Sequence, residues 1–200
     1  MGESDPSEID DPHRAYMDAP DFLERRFEVP TVEALLATPD AVGVARFIEL
    51  PSFRPERVFT FVFRRGEIEA SAAVGASSLW YSLYRGQMSS GDDDEGEDDD
   101  DEPEAFDPAR VVRRSAVVAL PWSEGPAELQ SWEALRSAAA NAGTCMTSTL
   151  DGTAYWHRVA DRGGQAVAQW SNPARREHGA QVALIEAYVH LLRHLSLYPK

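Results

Sequence analysis

Apolar and polar positions alternate with the two-residue period of strands in two separate blocks, and with the period of helices in two others. In the first block Val42–Leu50 is strand-like, and Val58–Arg64 interleaves aromatic and β-branched residues, a composition that suits a strand buried on both faces. Arg65-Gly66 makes a tight turn into Glu67–Val74, and Ser77–Tyr84 is a further aromatic strand candidate. Arg110–Leu120 alternates again and stops at Pro121. The second block, Thr144–Leu150, Thr153–Ala160 and Gln165–Trp170, is expected to form a three-stranded meander. Asp151-Gly152 is a strong hairpin signal, Asp161–Gly164 a looser turn, and Asn172-Pro173 breaks the last strand.

Helical spacing appears at Pro126–Asn141, where Leu129, Trp132, Leu135 and Ala139 share a stripe, Pro126 stands near the start and Gly143 follows the end. It is strongest at Glu177–Leu195. There Val182, Ile185, Val189 and Leu192 form one stripe, Leu184, Tyr188, Leu191 and Leu195 widen it, and Glu186, His190, Arg193 and His194 share the narrow remaining face. Two short helical turns precede the first strand block. Asp21–Phe27 would turn Phe22, Leu23 and Phe27 inward, and Val32–Ala37 would be capped by Thr31 and ended by Pro39.

These elements predict an α+β fold of antiparallel β-meanders packed against two main helices. Residues 1–20, acidic and bearing Pro6, Pro12 and Pro20, read as a disordered tail. Residues 21–200 read as one domain. It has a β-rich half at 41–85, a long disordered acidic insertion at 86–108, and a strand–helix–meander–helix half at 110–197. Whether the two meanders share a sheet is not decided by their spacing.

Charge sharpens this division. The net charge is −15, but Asp92–Glu104 holds eleven carboxylates and no base, and taking those eleven away leaves −4 on the rest. Like charges at that density repel and extend the chain. So acidic a chain is not expected to bind nucleic acid directly, since that requires a basic face. No apolar run approaches the roughly 20 residues of a membrane span, and the N-terminus lacks the basic and apolar regions of a signal peptide, so the expected location is the cytoplasm. Basic residues are almost all Arg, with Lys200 the one lysine, and with abundant Ala this usage is that expected of a GC-rich bacterial genome. The one cysteine, Cys145, excludes an internal disulfide and a multi-cysteine zinc site.

Catalytic motifs are sparse. Glu186, His190 and His194 recur every four residues and would share a helix face, a spacing from which a metal could be held. The ordinary alternative is a solvated strip near a helix C-terminus. Cys145 and His157 stand on segments expected to be adjacent, so a thiol–imidazole dyad is conceivable, although a lone cysteine is usually a small buried apolar residue. No nucleophile elbow, phosphate-binding glycine loop or calcium loop is present. No cofactor is implied. In Thr153–Ala160, Tyr155, His157 and Val159 should face one way, and Trp156 and Arg158 the other. An aromatic face beside arginine has the chemistry of a protein-binding hot spot.

The function expected from these features is that of a non-catalytic protein-interaction module: an inhibitor, immunity protein or regulatory subunit. Its partner would be a protein, basic or nucleic-acid-binding in character. Contact is expected through the acidic insertion (Asp92, Asp93, Asp94, Asp98, Asp99, Asp100, Asp101), through Trp156 and Arg158, or through His190, Arg193 and His194. The alternative is a small hydrolase or metal-dependent enzyme built on Cys145 and His157, or on Glu186, His190 and His194.

Overall fold

The computed structural model describes residues 19–51, 54–78, 107–145, 152–173 and 176–199. Its centre is one six-stranded antiparallel sheet. The strands are β1 (Gly43–Pro51), β2 (Arg57–Arg64), β3 (Glu67–Val74), β4 (Val112–Ala119), β5 (Thr153–Asp161) and β6 (Gly164–Ser171), in the spatial order β4-β3-β2-β1-β5-β6. The helices are α1 (Ala19–Arg26), α2 (Val32–Leu36), α3 (Trp132–Ala142) and α4 (Gly179–His194). The expected α+β architecture is therefore present, and the pairing of β1 with β5 joins both strand blocks in one sheet.

That pairing corrects the expected second meander. β5 has β1 on one side and β6 on the other, so Thr144 and Cys145, the described part of the expected strand Thr144–Leu150, do not flank it. Cys145 instead bridges Trp170 on the outer edge of β6, in parallel orientation, and residues 146–151 lie outside the described part of the chain. The Asp-Gly signal misled because Gly152 serves another purpose. Its φ is +140°, and a Cβ there would lie 2.0 Å from Asn172 Nδ2, while Asn172 Oδ1 accepts the Thr153 N–H at 2.8 Å. Close approach of Asn172, not a hairpin, requires the glycine.

Other local signals read through directly. Arg65-Gly66 forms a two-residue hairpin loop between the paired Arg64 and Glu67, with Gly66 at φ +82°. Arg162-Gly163 joins β5 to β6 in the same way, with the Gly163 N–H donating to Asp161 Oδ1 at 2.7 Å. Thr31 Oγ1 caps α2 by accepting the Ala34 N–H. Helix α3 starts later than expected. A 3-10 turn at Ala127–Leu129 comes first, and Ser131 then caps the helix by accepting the Ala134 N–H at 3.1 Å. β4 is likewise shortened, because Pro108–Arg110 forms a 3-10 turn capped by Asp107. Of the candidate strand Ser77–Tyr84, residues 79–84 lie outside the described part, and Ala76 and Ser77 form a bend.

The sheet has two unequal faces. One is covered by the two long helices and carries the main core: Phe47, Phe59, Phe61 and Phe63 from β1 and β2, Val159 and Trp170 from β5 and β6, and Leu135 and Leu191 from α3 and α4. Tyr188 of α4 stacks between Phe47 and Phe61, with ring centroids 5.1 Å and 4.7 Å away. The buried stripe of α4 is Leu184, Tyr188, Leu191 and Leu192, whereas Val182, Ile185 and Val189 are only half-buried. Hydropathy marks the breadth of such a stripe but not its centre, which here is set by the reach of Tyr188. The opposite face is covered by α1 and α2; Leu23 of α1, Phe27 just after it and Val32 of α2 complete two smaller apolar clusters.

Candidate binding groove

The second face is where coverage runs out. α1 has eight residues and α2 five, so α1 is about 12 Å long at 1.5 Å per residue. Six strands span about 24 Å at their usual spacing of roughly 4.8 Å. α1 packs over β1 to β3 and α2 over β1 and β5, so that among the described residues the first half of β6 is left open on this side. The result is a groove of about 930 Å³ between α1, the α1–α2 connection and the sheet, with Trp156, Arg158 and Val167 among its lining residues. Val167 is 50% exposed.

The expected alternation along β5 puts these residues there. Tyr155, His157 and Val159 point into the main core, where Tyr155 stacks on Phe47 at 5.6 Å. Trp156 joins the apolar cluster under α1, and Arg158 lies in the groove. Of the described residues named from the sequence as partner contacts, these two are brought together here. His190, Arg193 and His194 are exposed on α4, on the far side of the sheet, where the Trp122 indole packs 5.4 Å from the His190 ring and 4.7 Å from the His194 ring. Asp92, Asp93, Asp94 and Asp98 to Asp101 lie outside the described residues.

Beneath the groove is a buried ion pair that the sequence reading passed over. Arg46 is 1% exposed, its Nη1 stands 2.7 Å from Glu24 Oε1, and its Nη2 donates to the Pro30 carbonyl at 2.6 Å. Burial pushes the Glu24 carboxyl up, and the Arg46 charge pulls it back. The guanidinium keeps its proton throughout the physiological range, so the contact is an ion pair. Nearer the surface, Arg158 Nη2 donates to Glu33 Oε1 and Nε donates to Gln165 Oε1 at 2.9 Å. Glu33 is held below the usual carboxylate range first by its own backbone N–H and then by Arg158, against some desolvation. A signal for Arg46 was present: it is a charge in mid-strand, in the run Gly43-Val44-Ala45-Arg46-Phe47-Ile48, where both faces are buried.

A second polar cluster lies on the helix-covered face. Glu49 is 3% exposed; it accepts from Arg57 Nη1 at 2.9 Å and from the Tyr198 hydroxyl at 3.1 Å. Burial, then the Glu49 charge, raise Tyr198 to about 12. This cluster ties the chain after α4 to β1 and β2.

The enzyme candidates are placed as follows. His157 is 1% exposed, and its Nε2 lies 2.6 Å from the Tyr188 hydroxyl. Desolvation lowers the imidazole to about 3, so at neutral pH it is uncharged. Cys145 is half-buried against the main core. Among the described residues no group of three or more His, Cys, Asp or Glu side chains is placed to hold a metal ion, and no helix is long and apolar enough to cross a membrane.

No protein-family model matches the chain, and neither the curated proteins nor the solved structures contain a match to it.

Proposed function

We propose that the protein is a non-catalytic protein-interaction module and that the groove over β5 and β6 is its docking site. The observation that carries this reading is the incompletely covered sheet face. Half-buried Trp156 and Arg158 stand beside exposed Val167 in a groove of about 930 Å³. Anchoring aromatics and arginines in a desolvated pocket carry most of the energy in protein interfaces. The net charge of −15 adds long-range attraction for a partner with basic flanks. Inhibitor or regulatory subunit is the kind of role such a module fills.

Site-specific photo-cross-linking in the native host tests this. A photoreactive residue at Val167 should trap a discrete partner, and Trp156→Ala should abolish the adduct. The same probe at Val117, exposed on β4 at the other end of the sheet, should trap nothing specific. Adducts from Val117 alone, or an adduct from Val167 that is indifferent to Trp156→Ala, would contradict the assignment.

A further inference from the structure

Resting on the groove reading, we infer that the group it accepts is a carboxylate side chain, presented by an extended peptide segment that adds to the exposed first half of β6. Three independent features converge on this chemistry.

The first is a like-charge pair. Arg46 and Arg158 are direct cross-strand partners in the β1–β5 ladder, on the same face of the sheet. Two cations in register are unfavourable, the more so with one of them buried. Glu24 offsets Arg46 from α1, and Glu33 offsets Arg158 from α2. The Glu33 side chain is 67% exposed, and ion pairs with so wet a member are weak and exchangeable. An incoming carboxylate would compete with Glu33 for Arg158, in a groove that Asp21, Glu24 and Glu28 also line.

The second is a shortage of acceptors. Among the described residues, Trp156 Nε1 and Arg46 Nε are buried donors with no hydrogen-bond partner, and Arg46 Nη1 meets Glu24 at ion-pair distance without hydrogen-bond geometry. Gln169, the cross-strand partner of Trp156, has an unpartnered Nε2 as well. Apart from Glu24 Oε1, which already faces Arg46, the orphaned groups around the groove are all donors. Buried donors without partners are costly and mark a place for an acceptor. They sit just beneath the groove surface, so Arg158 is the first contact and a side-chain shift completes the set.

The third is the sheet edge. Among the described residues the outer side of β6 is taken only in its second half, where the Cys145 N–H donates to the Gln169 carbonyl and the Ser171 N–H donates to the Cys145 carbonyl. By the two-residue alternation of the ladder, the N–H and C=O of Gln165 and Val167 point the same way. Gly164, Gln165, Ala166 and Val167 are exposed; they pair with β5 on the inner side, and no described residue pairs with them on the outer side. Such an edge recruits an extended peptide through main-chain hydrogen bonds. A glutamate on that strand, pointing to the groove face, reaches across Val167 towards Arg158.

The test is a titration of ¹⁵N-labelled full-length protein with an acetylated, amidated Thr-Val-Glu-Val-Thr peptide, its glutamine counterpart, and acetate. The glutamate peptide should shift the Trp156 indole N–H and the amides of Gln165 and Val167. It should bind at least ten-fold more tightly than the glutamine peptide, and Arg158→Gln should erase that preference while the spectrum stays folded. Equal binding of both peptides overturns the carboxylate assignment. Indole shifts with acetate, without any peptide effect on β6, overturn the strand addition. If peptides fail while the Val167 cross-link persists, this inference falls and the docking groove stands. Loss of the cross-link as well removes both.

Discussion

His157 Nε2 and the Tyr188 hydroxyl meet at 2.6 Å in the main core, with the Trp170 ring stacked 5.3 Å from the imidazole. The pair fixes α4 on β5, and the cost is a histidine that must stay neutral. Its folded-state value of about 3 lies below the ordinary 6.5, so the unfolded chain binds the extra proton between those limits. This contribution is fully present above about 6.5 and is lost as pH falls towards 3, at up to about 1.4 kcal/mol per pH unit. Urea midpoints between pH 4 and 6.5 should fall more steeply for the parent than for His157→Phe/Tyr188→Phe, where neither polar group is left buried. Parallel curves would refute the assignment.

Arg46 and Glu24 predict a strong asymmetry. Arg46→Met leaves a buried carboxyl without its counterion and should cost about 3–5 kcal/mol. The double variant Arg46→Met/Glu24→Leu should recover at least half of that, because a buried pair contributes little over an apolar replacement of similar volume. Urea denaturation of the four proteins in the cycle decides the point, and equal losses in single and double variants would place the cost elsewhere.

Tyr198 binds Glu49 only while it keeps its proton. Tyr198→Phe should cost about 1 kcal/mol at pH 8. Because the folded-state value is raised to about 12, the advantage of the parent is fully present below about 10 and shrinks as pH rises from 10 to 12. Midpoints at pH 8 and 11 check both size and sign. A constant difference would mean that the hydroxyl contributes no proton-linked stability.

Gly43 is fixed by contact. A Cβ there would lie 2.2 Å from the Trp132 ring. That ring packs 5.4 Å from Phe63, and its Nε1 donates to Asp161 Oδ2 at 3.0 Å, so it has little room to move. Gly43→Ala should lower stability by about 1–3 kcal/mol, read as a drop in Tm with altered tryptophan fluorescence. An unchanged Tm would show that the ring yields freely.

Strand positions and faces were legible in the sequence wherever the signal was local. The doubly buried β2, the Arg65-Gly66 turn, the Thr31 cap and the alternation that separates Trp156 and Arg158 from Tyr155 and His157 all depend on neighbours in the chain. What was not legible depends on distant contacts. Pairing of β1 with β5 displaced the expected hairpin, and it alone brings Arg46 opposite Arg158. The groove itself comes from the shortness of α1 and α2 against the width of the sheet, a comparison that needs the topology first. The midstrand charge of Arg46 was visible, but its counterion, Glu24, is 22 residues away on a helix.

The central claim is that the partner docks over β5 and β6. The most direct measurement is the affinity of the cross-linked partner for the parent, Trp156→Ala, His190→Ala/Arg193→Ala/His194→Ala, and a variant lacking residues 92–102. The account predicts a loss of about 30-fold or more for Trp156→Ala, the size expected of an interface anchor, with the α4 variant unchanged and the deletion altering chiefly the salt dependence. Full affinity in Trp156→Ala, with the loss falling on the α4 or deletion variant instead, would contradict it.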